Sequence, residues 1–156
     1  MVDTDGRDAI LVVDYRIRYG LPIVGHAFLY FQDSDGNWHK TEFSGKKPKD
    51  ASIKLYSADG MGQLLNMLEG KKLSLIDYVY IEGDFSKSYD AASSYAGTNY
   101  GGYRLRKNNC ADYVYEILMK ATLDNAELET ALGDIEPMVP SHLLKFIKSK
   151  QKTKGS

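Results

Sequence analysis

Hydrophobic and polar positions along this chain fall into short segments whose period switches between two residues and three to four. After a polar, turn-like leader, Met1 to Asp8, the apolar run Ala9 to Asp14 predicts a buried strand. Gly20, Pro22 and Gly25 make Arg16 to Gly25 a loop. The stretches Gly25 to Gln32 and Asn37 to Phe43 flank Asp33-Ser34-Asp35-Gly36, whose Asp-Gly pair is a strong turn signal, and together they predict a β-hairpin. Lys46 to Asp50 is a basic, Pro-containing loop, and Ser52 to Tyr56 is a short strand.

In Ala58 to Glu69, Met61, Leu64, Leu65 and Leu68 recur at helical spacing before Gly70, a suitable C-cap. Leu75 to Glu82, aromatic and β-branched, reads as a central strand. Asp84 to Ala96 reads as a helix with Asp84 at its N-cap, ending before Gly97. The Tyr- and Gly-rich stretch Thr98 to Lys107, with Tyr103-Arg104-Leu105 extended, runs into a helix that starts at Cys110. There Tyr113, Val114, Ile117, Leu118 and Ala121 form one apolar stripe, Asp112, Glu116 and Lys120 lie outside it, and Asn108 and Asn109 supply the N-cap. Further helical turns are expected within Asp124 to Met138. Pro137 and Pro140 then bracket a rigid connection, and Ser141 caps a last helix, His142 to Lys148, with Leu143, Leu144, Phe146 and Ile147 inward.

A chain of 156 residues has room for one full core, so residues 9–148 are expected to form a single domain, followed by a polar, disordered tail at 149–156. The net charge of −1 and the mixed signs of the charged residues give no broad basic field for nucleic acid. One cysteine forms no internal disulfide, and no Cys/His spacing suits a structural zinc. The longest apolar runs fall far short of the ~20 residues needed to span a bilayer, and the chain as given is expected to be soluble and to carry no export signal of its own.

Candidate chemistry gathers around that cysteine. A thiol in the first turn of a helix sits near unpaired N–H groups and the positive end of the macrodipole, which favours its thiolate. The bland alternative is a small apolar residue packed beneath the helix. A nucleophilic thiol needs a base and a group to orient that base. Of the three histidines, His26 opens the first hairpin strand, where alternation puts it on one face with Phe28 and Tyr30. His142 is a surface residue at a helix start. The orienting group is Glu42 or His39, which lie on opposite sides of the return strand, and the choice depends on hairpin register. Asn109 and Tyr103 are near enough in sequence to shape an oxyanion site or pocket, with capping and packing as their alternatives. The chemistry calls for no metal and no cofactor.

Gly25-His26-Ala27-Phe28-Leu29-Tyr30 with its hairpin, followed later by Tyr103-Arg104-Leu105 and Asn108-Asn109-Cys110, resembles the permuted papain-like fold of the NlpC-type superfamily, in which the His strand precedes the Cys helix. The lecithin:retinol acyltransferase-like branch shares that order and the Asn-Cys helix start. The chain is also similar to toxin domains at the C-terminus of bacterial Rhs-repeat proteins. Its opening Val2-Asp3-Thr4-Asp5-Gly6-Arg7 resembles the Asp-Pro-x-Gly-Arg-type end of an Rhs core, with Thr4 where proline is usual. That departure bears on release from a larger parent, not on the Cys110/His26 pair.

The resemblance spans roughly residues 1–148 by order of elements. Its specific motifs are Gly25-His26, Glu42-Phe43-Ser44-Gly45 and Asn109-Cys110. It implies an α+β fold with an antiparallel sheet, its His-bearing hairpin packed against the Cys helix. It implies Cys110 as nucleophile and His26 as base, with the third place falling on Glu42 in the Rhs-like pattern and on His39 in the acyltransferase-like one. The implied activity is that of a cysteine peptidase or amidase acting on a peptide, a peptidoglycan stem peptide or a protein. Acyl transfer, deamidation by the same pair and a non-catalytic interaction domain are the alternatives. The implied setting is an effector held in the producer's cytoplasm and delivered, for example by type VI secretion, within a larger Rhs-type protein. Met1 would then be an added start, and a cognate immunity protein a partner.

Overall fold

The computed structural model describes residues 8–14, 26–45, 48–58, 76–102 and 109–121, together with Leu144, Lys145 and Ile147. The expected loop at 16–25, the helix after Ala58, Tyr103, His142, the turns at 124–138 and both polar ends lie outside the described residues, as does most of the last helix.

The alternating segments form strands β1 (Ala9–Asp14), β2 (His26–Gln32), β3 (Trp38–Ser44), β4 (Ser52–Ser57) and β5 (Ile76–Ile81). They make one antiparallel sheet in the order β4-β3-β2-β1-β5. Helices α1 (Lys87–Tyr95) and α2 (Cys110–Ala121) complete an α+β architecture. No helix among the described residues is long and apolar enough to cross a membrane.

Parity assigns the two faces of the sheet. Odd-numbered strand residues, among them Leu11, Val13, Ala27, Leu29, Phe31, Phe43, Ile53, Val79 and Ile81, join Tyr113, Val114, Ile117 and Leu118 of α2 and Ala91 and Ala92 of α1 in the main core. Leu144 and Ile147, both helical and buried, close it. The even-numbered face is aromatic: Phe28, Tyr30, Trp38, Tyr78 and Tyr80 surround Ile10 and Val12. A buried apolar face fixes register, because a one-residue slip would turn every side chain to the other side.

Two sequence expectations are corrected. The Leu75–Glu82 segment is a strand, but β5 stands at one end of the order and pairs only with β1 among the described residues. Aromatic and β-branched content reports fit to a half-buried pleated surface, not rank in a sheet. Helix α1 takes Ser86, not Asp84, as its N-cap. Asp84 Oδ1 instead accepts the Ser86 backbone N–H (3.1 Å) and hydroxyl (2.7 Å), the local turn that Asp favours two residues ahead of a backbone donor.

After β3, the chain reverses through a 3-10 turn, Pro48–Asp50, before β4. Gly45 permits that reversal, since a Cβ there would lie 2.7 Å from the Ala51 backbone N and Cα. Gly45→Ala is therefore expected to destabilise the fold by about 1–3 kcal/mol, the usual cost of forcing a methyl into filled space. The urea unfolding midpoint would show it, and an unshifted midpoint would mean the turn moves aside freely.

Candidate active site

Helix α2 begins where the sequence places it, and its start is fixed by a reciprocal cap. Asn109 Oδ1 accepts the backbone N–H groups of Ala111 (2.9 Å) and Asp112 (3.1 Å), while Asp112 Oδ2 accepts the Asn109 N–H at 2.9 Å. This is a capping box with Asp in the usual Glu place. It sets Cys110 as the first helical residue, with Asp112 contributing a cap that the Asn-x-x-Asp spacing foreshadows. Asn109 is 1% exposed and its carbonyl oxygen serves the helix, so its role at the site is to position Cys110.

The second element is a divergence of strands. Gln32 N–H donates to the Asp8 carbonyl at 3.0 Å, which assigns the even-numbered residues of β2 to bonding with β1 and the odd-numbered ones to the β3 side. Pairing with β1 runs back to His26, whereas pairing with β3 stops at Leu29↔Thr41. The Ala27 N–H thus points toward the diverging β3 and donates to Cys110 Sγ at 3.4 Å. A sulfur from the helix face therefore reaches the sheet where the two strands part. No composition or spacing signal marks this backbone donor.

On the even-numbered face, across the same gap, His26 Nε2 meets Glu42 Oε1 at 2.8 Å. Both residues are buried. The Glu42 carboxylate oxygen accepts, so the neutral ring carries its proton on Nε2 and offers Nδ1, which is shielded from solvent, as its basic atom. Lys40 Nζ stands 3.2 Å from the other oxygen, Oε2. Of the two candidates for the orienting group, the structure thus brings Glu42 to His26. His39, of opposite parity, faces the helices, where it stacks on Phe31 (5.7 Å between centroids), meets the Tyr89 ring at 4.7 Å and bonds Asp33 Oδ2 at 2.8 Å.

Electrostatics follow from this placement. Burial opposes charge on the His26 ring, but the Cys110 thiol and the Glu42 carboxylate outweigh it and raise the pKa from 6.5 to about 9. Burial likewise opposes charge on Glu42, yet the His26 bond and then the Lys40 charge hold its pKa down, from 4.5 to about 2. The imidazole is thus buried in a setting that favours its charged form. Cys110 itself is 0% exposed, so any reagent reaches it only when the site opens.

Tyrosines elsewhere have structural employment. Tyr113 hydroxyl lies 2.6 Å from Thr41 Oγ1, and Tyr100 donates to Glu116 Oε1 at 2.7 Å while packing edge-on against Phe43 and Tyr113. Among the described residues, no group of three or more His, Cys, Asp or Glu side chains is arranged to hold a metal ion. No family model, curated protein or solved structure matches the chain. The functional argument therefore stands on this geometry.

The pKa shifts have opposite signs and bound a window. The raised His26 pKa contributes stability that is complete below 6.5 and is lost as pH climbs through about 9. The lowered Glu42 pKa contributes stability that is complete above 4.5 and is lost as pH falls through about 2. The pair's contribution is thus greatest between pH 4.5 and 6.5. Thermal unfolding from pH ~3 to ~9 is expected to show both declines, and Glu42→Gln should remove the acid one and reduce the alkaline one. Equal slopes in the two proteins would show that the pair does not couple to folding.

Proposed function

We propose that this domain is a cysteine hydrolase that cleaves an amide bond through Cys110, His26 and Glu42. One observation carries the reading: a buried imidazole is bonded to a carboxylate at 2.8 Å, beside a thiol at the start of a helix that favours the ring's charge. A structural cysteine needs no histidine, and a structural histidine needs no ion pair with a thiol. The resemblance of the Gly25-His26, Glu42-Phe43-Ser44-Gly45 and Asn109-Cys110 motifs to permuted papain-like enzymes of the NlpC type supports the same reading, as does the order of the His strand before the Cys helix.

Each group has one task. His26 Nδ1 takes the Cys110 proton, leaving an imidazolium beside a thiolate. The thiolate attacks the substrate carbonyl carbon, and the developing oxyanion faces the Cys110 backbone N–H at the positive end of α2. When the C–N bond breaks, His26 returns its proton to the leaving amine, and the acyl group stays on sulfur as a thioester. His26 then takes a proton from water, which attacks the thioester. Collapse releases the carboxylic acid and restores the thiol. Glu42 holds the ring's orientation and tautomer throughout and stabilises its charge.

The substrate class that fits is a peptide, with peptidoglycan stem peptides foremost among those implied by the resemblance. The likeness of Val2 to Arg7 to the end of an Rhs core supports a setting as an effector delivered within a larger protein, with an immunity protein as its partner. Transfer of the acyl group to another acceptor, or release of ammonia from a side-chain amide, would use the same three residues.

The test is the rate of Cys110 alkylation by iodoacetamide as a function of pH. Between pH 4.5 and 6.5, where the pair's contribution to stability is level, opening of the buried site scales the rates alike and the shape of the profile reports the ionisation. An ordinary thiol of pKa ~8.5 is about 0.3% thiolate at pH ~6. His26→Ala is accordingly expected to slow alkylation at that pH by about two orders of magnitude. Cys110→Ala should abolish release of products from peptidoglycan fragments or peptides. An ordinary thiol profile in both the wild-type chain and His26→Ala would overturn the enzyme reading in favour of an interaction domain.

A further inference from the structure

Lys40 stands outside the three residues assigned so far, yet the sheet aims it at them. It lies two residues before Glu42 on β3, so both occupy the even-numbered face, and its ammonium is 3.2 Å from Glu42 Oε2. Its other contacts keep it there: Nζ sits 4.5 Å from the centroid of the Phe28 ring and 5.9 Å from that of Tyr56. Phe28 in turn packs against the His26 ring, 5.7 Å between centroids. The Lys40 side chain is only 27% exposed. An ion pair held in place by two aromatic faces gives up less side-chain freedom than a solvated one and is screened less by water.

From this placement we infer that Lys40 is a positioning residue of the active site, which fixes Glu42 by its second oxygen so that its first oxygen stays turned to His26. A carboxylate held at one oxygen alone can turn about its last side-chain bond, and the ammonium on Oε2 opposes that turn. The inference rests on the hydrolase reading and adds a residue to it.

The other groups around the carboxylate do not fill this role. His26 on β2 occupies Oε1. Lys54, the β4 neighbour of Glu42, spends its ammonium on the Ser44 carbonyl and hydroxyl. Tyr30 on β2 and Tyr56 on β4 face the same side, and burial followed by the Glu42 charge raises both phenols, so they stay neutral. Asp14 on β1 is the cross-strand partner of His26, and Cys110 on α2 approaches from the helix side. Lys40 is the cation paired with Glu42 among the described residues, apart from His26 itself.

Lys40→Met keeps the stem that lies on Phe28 and removes the charge, whereas Lys40→Arg keeps the charge. Two readouts are taken on each full-length variant: the carbon-13 titration of the Glu42 carboxyl, and the alkylation rate of Cys110 against pH. In Lys40→Met the Glu42 midpoint is expected to rise by about one pH unit, the low end for losing an opposite charge this close. The acid limb of the alkylation profile should move to higher pH with it, a loss of about tenfold in rate at a fixed pH on that limb, and Lys40→Arg should restore both. A merely structural lysine would lower stability without moving either midpoint. An unmoved Glu42 titration overturns the inference, while the wild-type profile and its dependence on His26 leave the hydrolase reading intact. A moved titration with an unmoved alkylation profile also overturns it, because Glu42 would then not govern the thiol. An ordinary thiol profile in the wild-type chain removes the hydrolase reading and this inference together.

Discussion

The parting of β2 from β3 is the constraint on which the site depends. Antiparallel strands normally satisfy each other's backbone groups along their whole length, and an inward-facing N–H left without a partner is costly. Here β2 keeps its ladder with β1 to His26 but leaves β3 after Leu29. The donor released at Ala27 goes to the Cys110 sulfur. The same gap lets a helix-face thiol and an opposite-face imidazole approach each other, which a continuous sheet would prevent.

Around that gap, local features with separate structural reasons converge. The Asn109–Asp112 capping box decides at which residue α2 begins and therefore where the sulfur stands. Gly45 allows the 3-10 turn to fold back on the end of β3, just past Glu42 and Ser44. Tyr113 ties α2 to Thr41 of β3, so the helix and the strand that supply the thiol and the carboxylate are joined within the core. The cost of enclosing charges is met locally. A carboxylate, an imidazole and an ammonium lie within hydrogen-bonding distance in sequence along one face. Buried charges survive in proteins when they are paired and hydrogen-bonded, as these are.

Much of this was readable from residues alone. The hairpin announces itself through alternation and Asp35-Gly36, and α2 through its apolar stripe and asparagine start; both are local patterns with local causes. The choice between Glu42 and His39 was not local. It depends on the connection at 33–37, which pairs Gln32 with Trp38 and so sets even against even across the hairpin. A connection one residue shorter or longer would have given His39 the parity of His26. The Ala27 donor has no side chain to announce it, and the edge position of β5 depends on which strands the intervening chain brings together. Lys40 was visible only once parity with Glu42 was known. The tyrosine richness, open to a groove or an interface when read as composition, resolves in part into the packed Tyr95, Tyr100 and Tyr113 rings.

Parity along β2 also has a consequence for how such a domain can diverge. From the anchor at Gln32 to His26, the strand counts residues as a reading frame counts bases: an even count delivers the imidazole to the carboxylate's face, an odd count delivers it to the helices. Side chains within this frame can be exchanged one at a time while the frame holds. A single insertion or deletion there would move the ring to the wrong face and shift the Ala27 donor out of step, parting His26 from Glu42 and breaking core register together. In lineages descending from this chain, the length of the strand before Gln32 is therefore the quantity selection would hold constant, even as its letters drift.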